Sequence, residues 1–233
     1  MMIMKYRNYM KVVGIVLLLI LTAATMLACK GGVDTEVKDN ISELTLNVFV
    51  GRTENAEVTL ITGEREAPYA VDGVSNARQP YTIISVKPSA IGETAAYDYV
   101  IKAAGNEYRG KLSLHPFGIT FIDTVNKKAE GAVSVTLTRG EHTEEVVLNP
   151  QFNENMITWE QALETGISCI KKEVDSLYEG KNLLGEVYIR FTGDPLNESA
   201  EYYWYIAVVG NNGRTYAALI HPLSGEVIAA KKI

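Results

Sequence analysis

Three histidines and two cysteines are the residues whose chemistry could most readily support catalysis or metal binding: His115, His142, His221, Cys29 and Cys169. The histidines fall in separate hairpins or loops, and none stands in an HExxH or another metal-ligand spacing. The sequence has no GxSxG, no phosphate-binding loop and no GxGxxG. Cys169 lies on a stretch of helical periodicity, with Thr165, Gly166, Lys172 and Glu173 one turn away and no His beside it to take a proton. It reads as a small residue at the edge of an apolar stripe rather than as a nucleophile or redox thiol. These residues imply no catalytic group, no metal and no cofactor.

Tyrosines make the stronger pattern. In EYYWYIAVV (201–209), Trp204, Ile206 and Val208 share one face of a strand, and Tyr203, Tyr205, Ala207 and Val209 share the other. Tyr188 and Arg190 on EVYIRFT, and Tyr216 on RTYAALI, would join Tyr203 and Tyr205 on one face if the register allows. Tyr and Arg are enriched where proteins bind partners, which makes this face the expected partner-binding surface. The alternatives are that it packs against the rest of the chain, or that it forms cross-strand aromatic pairs.

The elements that must hold these residues follow from composition and periodicity. The chain has 233 residues, 47% hydrophobic and 21% charged, which excludes a disordered or collagen-like polymer and a polytopic membrane protein. A net charge of −6 and a pI near 5.2 argue against nucleic-acid binding, which needs a basic face. Two cysteines exclude a disulfide-dense scaffold. The acidic residues are dispersed, so no calcium loop is signalled.

Residues 1–28 have the form of a secretory leader. Lys5, Arg7 and Lys11 precede the uncharged run VVGIVLLLIL (12–21), which passes through TAATMLA to Cys29. Met26-Leu27-Ala28-Cys29 resembles the bacterial lipobox, with Met26 where Leu is usual. The resemblance implies cleavage before Cys29 and a diacylglycerol on its thiol. An uncleaved anchor is the alternative, since 12–28 approaches the length of a spanning helix. Either way the bulk of the chain is expected outside the cytoplasm. Residues 29–41 read as a flexible tether. Loss of the leader removes three cations and no acid, taking the net charge from −6 to −9.

Residues 42–150 read as all-β. Leu44, Leu46, Val48 and Val50 alternate with Thr45, Asn47 and Phe49, and short apolar runs follow between turn signals at Ala104-Gly105-Asn106 and Arg139-Gly140-Glu141. About eight strands without a helix predict an immunoglobulin-like β-sandwich, although the Cys…Trp…Cys signature of antibody domains is absent.

Residues 156–233 change character. Thr158 with Gln161 makes a capping box, with Ile157 and Ala162 placed as a hydrophobic staple, and Leu163, Ile167, Ile170, Val174 and Leu177 form one apolar stripe. Four strands follow, predicting a small α+β unit in which a helix covers one face of an antiparallel sheet. ITWEQAL with YYWYIAVVGNNGRTYAALIHPLSGEVIAAKK resembles the PepSY domain, matching at Thr158, Ala162, Trp204, Tyr216, Gly225 and Val227. It departs at His221, where members usually carry Asp. The resemblance implies a non-catalytic module that inhibits or regulates a peptidase.

The sequence thus predicts an all-β plus α+β protein, anchored to the cell membrane by lipid on Cys29 and acting outside the cytoplasm as a binding or regulatory module. A peptidase or an envelope protein is the expected partner. A structural or adhesive role in an envelope assembly is the alternative.

Overall fold

The computed structural model describes residues 35–89, 96–116, 118, 120–193 and 201–232. The leader, Cys29 and the first part of the tether lie outside the described residues. The described part of 29–41 departs from a tether: it forms α1 (Thr35–Asp39), which buries Val37, and Asn40 Nδ2 donates to the Glu36 carbonyl at 2.7 Å. A buried valine gives this segment a packing energy that its polar composition concealed. Among the described residues no helix is long and apolar enough to cross a membrane.

The chain is mostly strand, with few helices. Its first half supplies β1 (Ile41–Arg52), β2 (Ala56–Glu66), β3 (Arg78–Pro88), β4 (Asp98–Ala103), β5 (Asn106–Lys111), β6 (Ser113–Leu114), β7 (Phe121–Val125), β8 (Val133–Arg139) and β9 (His142–Pro150). Strands β1, β2, β3, β7 and β6 hydrogen-bond in that order, and β5, β4, β8 and β9 form a second run. Alternation along each strand sends Val58, Leu60, Ile84 and Val86 from the first run against Ile101, Val135, Leu137 and Val146 from the second, enclosing one apolar core. The β4–β5 turn places Ala104 at φ 47° and Gly105 at φ 79°, the left-handed geometry that matches strand twist in a two-residue hairpin.

In the second half, α2 (Trp159–Cys169) begins at Thr158, whose side chain accepts from the Gln161 amide while Gln161 Oε1 accepts from the Thr158 amide at 2.9 Å. The expected single helix breaks at Ile170, whose backbone leaves the helical region (φ −106°, ψ 24°), and resumes as α3 (Lys171–Asp175). The buried face of α2 is Ala162, Leu163 and Gly166. Cys169 lies off that face and is exposed, contrary to its expected place at the core edge. A small hairpin, β10 (Tyr178–Glu179) with β11 (Asn182–Leu183), precedes the antiparallel meander β12 (Gly185–Gly193), β13 (Tyr202–Gly210), β14 (Thr215–Ile220) and β15 (Val227–Lys232).

The composition change at 151–155 suggests a division of the chain, but the sheet runs across it. β1 pairs in parallel with β12 from Ile41↔Val187 to Thr45↔Arg190, so hydrogen bonding is continuous from β15 to β6. On its other edge β1 pairs with β2, and its far end meets β9 at Phe49↔Pro150 and Val50↔Asn149. Asn47 fills the gap between β12 and β9, its Oδ1 accepting from the Val48 amide at 2.8 Å and the Phe152 amide at 3.0 Å. One strand therefore serves both halves.

Candidate functional site

Alternation along β13 distributes its aromatic residues as the sequence predicts, and register decides which neighbours join them. Trp204, Ile206 and Val208 stand opposite Phe191, Ile189 and Val187 on the helix-covered face. Trp204 is fully buried there, donates Nε1–H to the Ile157 carbonyl at 3.1 Å, and lies edge-on to Phe152. The opposite face carries Tyr203, Tyr205, Ala207 and Val209, across from Thr192, Arg190, Tyr188 and Glu186. Four of the five expected residues, Tyr188, Arg190, Tyr203 and Tyr205, therefore share one face. Tyr216 does not: it pairs with Val208 and so lies on the helix side, buried, with the Lys232 ammonium 5.8 Å from its ring centre.

The shared face continues onto the first half through β1. Glu43 stands beside Tyr188 and Thr45 beside Arg190. Across the next ladder Glu43 is opposite Arg65, and Thr45 opposite Gly63, which is itself opposite Tyr81. The Cβ that any other residue would carry at 63 would meet the Leu44 carbonyl at 2.0 Å, so the strands can approach there only with glycine.

Glu43, 8% exposed, gathers four donors. Arg190 gives Nη2–H at 2.7 Å and Nε–H at 3.1 Å to Oε2, the Tyr69 hydroxyl gives 2.7 Å to the same oxygen, and the Tyr81 hydroxyl gives 3.2 Å to Oε1. Tyr69 also accepts from Arg190 Nη2 at 2.9 Å. Burial, with the Glu43 carboxylate beside it, pushes the Tyr69 hydroxyl up to about 12. Burial and Glu43 raise Tyr81 as well. Burial opposes the Arg190 charge, but Glu43 and Tyr69 outweigh it and the guanidinium is held more firmly protonated.

A second carboxylate lies beside the first. Glu186 is fully buried, and its Oε1 accepts the backbone N–H groups of Asp72 (2.9 Å), Gly73 and Val74 (2.9 Å). Its Oε2 accepts the Tyr188 hydroxyl. These amides belong to the 67–77 loop between β2 and β3, which Glu186 binds to the sheet face. Gly73, at φ 85°, lets that loop lie against Asn211, whose Cα an added Cβ would meet at 2.9 Å. Burial raises the Tyr188 hydroxyl, with Glu186 adding to the effect. At the loop's other end the Asn76 amide donates to buried Glu66 at 3.0 Å.

The expected recognition face is thus partly occupied. Tyr188 is buried beneath this network, while Tyr203 and Tyr205 are half-buried and the Arg190 side chain is 38% exposed. Tyr69, 41% exposed, enters the surface from the first half. Sequence reasoning missed Glu43, Glu186, Arg65, Tyr69 and Tyr81. The available signal was a Glu inside each of two apolar strands, ISELTL and GEVYIR, where a charge needs a buried partner.

The histidines stay apart. His221 Nδ1 accepts from the Leu223 and Ser224 amides at 3.3 and 3.2 Å, capping its turn. His142 borders a concavity of about 230 Å³ with Arg139, Glu144 and Tyr97. Among the described residues no group of three or more His, Cys, Asp or Glu side chains could hold a metal ion. No protein family, curated protein or solved structure matches this chain.

Proposed function

We propose that this chain is a lipid-anchored extracytoplasmic protein acting as a non-enzymatic binding or regulatory module. The address rests on the leader and the Met26-Leu27-Ala28-Cys29 motif. Two acyl chains anchor stably where one binds marginally, and the anionic chain needs such an anchor to stay at an anionic membrane. The binding role is carried by one observation: Tyr69, Arg190 and Tyr205 come together at the sheet face from distant parts of the sequence. Aromatic and arginine side chains held rigidly by neighbours suit recognition, because little side-chain entropy remains to be lost on binding.

Residues 42–150 are assigned an immunoglobulin-like sandwich, supported by the two strand runs around one core. Residues 156–233 are assigned a PepSY-like unit, supported by the capped helix laid over the β12–β15 meander. An extracellular peptidase is the partner class which that assignment implies. Mass spectrometry of the membrane fraction tests the address: a lipid-modified N-terminus at Cys29 is expected, and a mature peptide containing Met26 refutes it. Inhibition of a co-expressed extracellular peptidase tests the regulatory role. Capture of envelope proteins without inhibition favours a structural or adhesive accessory role instead.

A further inference from the structure

β15 ends one side of the sheet: one edge pairs with β14, and no described strand pairs with the other. All six of its residues are exposed. Free strand edges are usually blunted by shortness or by charge. β6, at the opposite end of the sheet, has two residues, and β5 carries Glu107, Arg109 and Lys111. β15 instead opens with Val227-Ile228-Ala229-Ala230, an uncharged run. Val227 is 40% exposed, Ile228 48%, and Leu223 on the preceding turn 57%, so exposed apolar side chains concentrate at this edge. The charges stand at its two ends, Glu226 just before the strand and Lys231 and Lys232 at its close. β14 beside it carries no charge. Among the described residues no ion pair involves Glu226, Lys231 or Lys232, nor Glu160 or Glu164 on α2.

We propose that β15 pairs antiparallel with β15 of a second copy of this chain, joining two sheets across a two-fold axis. The order of charge along the edge selects this occupant. Acid, apolar run and base, in that order, complement themselves when one copy is reversed: each Lys231–Lys232 end runs beside the other copy's Glu226 end. A parallel copy would set lysine beside lysine, and like charges facing each other across strands are destabilising. A strand of another protein would need the reverse order of charge, which a second copy supplies by symmetry. The contact uses the same patch on both copies, so it closes at two and does not propagate. Ile228 is the extra residue where the β14 register slips, between Leu219↔Ala229 and Ile220↔Val227. That bulge shortens the regular edge and places the contact among small, transient interfaces. The pairing goes beyond the binding role proposed above and uses none of the residues on the tyrosine face.

Sedimentation equilibrium of the full chain tests this, in excess neutral detergent from micromolar to millimolar protein. A reductant keeps the exposed Cys169 from cross-linking copies. The expected result is a monomer–dimer equilibrium that Ile228→Lys weakens by about tenfold or more. Glu226→Lys alone, and Lys231→Glu with Lys232→Glu alone, each set like charges together and should stay monomeric. Mixed in equal amounts, these two variants face each other with opposite charges at both ends and should form a heterodimer, which added salt weakens. A wild-type chain that stays monomeric throughout, a dimer undiminished by Ile228→Lys, or charge variants that fail to associate on mixing would each overturn the proposal. If Ile228→Lys loses its near-ultraviolet circular dichroism, the mixing experiment decides, since it alters only exposed charges outside the apolar run.

Discussion

Arg190 donates from both Nε and Nη2 to one oxygen of Glu43, a residue 147 positions earlier in the chain. The pair spans the parallel ladder between β12 and β1 and so ties together the two halves that the sequence pattern separates. Two further features depend on the same neighbourhood: the protonated tyrosines and the docking of the 67–77 loop.

Replacing Arg190 should cost more than replacing Glu43. Arg190→Ala leaves the buried Glu43 carboxylate without its cation, and breaking a buried pair from that side costs about 3–5 kcal/mol. Glu43→Ala should fall below that range, because the arginine it leaves behind reaches solvent. Urea denaturation of both single variants and the double variant checks this. Equal losses from the two single variants would contradict it.

Glu186→Ala should release the 67–77 loop. Three backbone N–H groups would lose one acceptor, and hydrogen bonds to a charged group contribute roughly 1.5–3 kcal/mol each. The expected readout is faster hydrogen exchange at Asp72, Gly73 and Val74 while Ile84 and Val135 in the core stay protected. Unchanged exchange at 72–74 would show that the loop docks by other means.

Stability should fall as pH rises from about 10 to about 12. The folded chain holds the Tyr69 proton more tightly than the unfolded chain does, so this contribution is complete below the ordinary tyrosine value near 10. It is lost as pH passes through the raised value of about 12. Tyr81 and Tyr188 are raised for the same reasons and extend the loss in the same direction. Ultraviolet titration of tyrosinate should show late components, one of which disappears in Tyr69→Phe. A spectrum in which every tyrosine titrates near 10 would contradict the burial of these hydroxyls.

Gly166→Ala should destabilise the chain although alanine favours helix. The exchange gains about 0.5–1 kcal/mol in helix propensity. The added Cβ would meet Cβ and Cγ1 of Ile206 at 2.8 Å, atoms close to the backbone of a fully buried residue, and such overpacking costs typically about 1–3 kcal/mol. A net loss of about 1 kcal/mol in chemical denaturation is expected. Ile206→Val should not rescue it, because valine keeps the Cβ, Cγ1 and Cγ2 atoms that the added Cβ meets.

The strands and the capped helix were legible because their signals are local. Period-two alternation in TLNVFV, the Thr158–Gln161 box and the glycines at the hairpin turns each depend on neighbours within a few positions. The α2 break at Ile170 was not legible, since the apolar stripe continues through it. Tyr216 was placed on the wrong face because a strand's alternation fixes two faces without saying which one a neighbour shares. That depends on the β13–β14 register, and Val208↔Tyr216 puts it with Trp204 rather than with Tyr205.

The sequence alone determined the succession of strands and the helix-covered face of the final sheet. Both follow from polarity read along short stretches of chain. Tertiary structure alone decided that β1 pairs with β12, that Glu43 meets Arg190, and that Glu186 collects the 72–74 amides. A strand's free edge carries the same backbone donors and acceptors whatever its side chains, so its choice of partner is set by the packing of the whole sheet. The buried carboxylates follow from that choice.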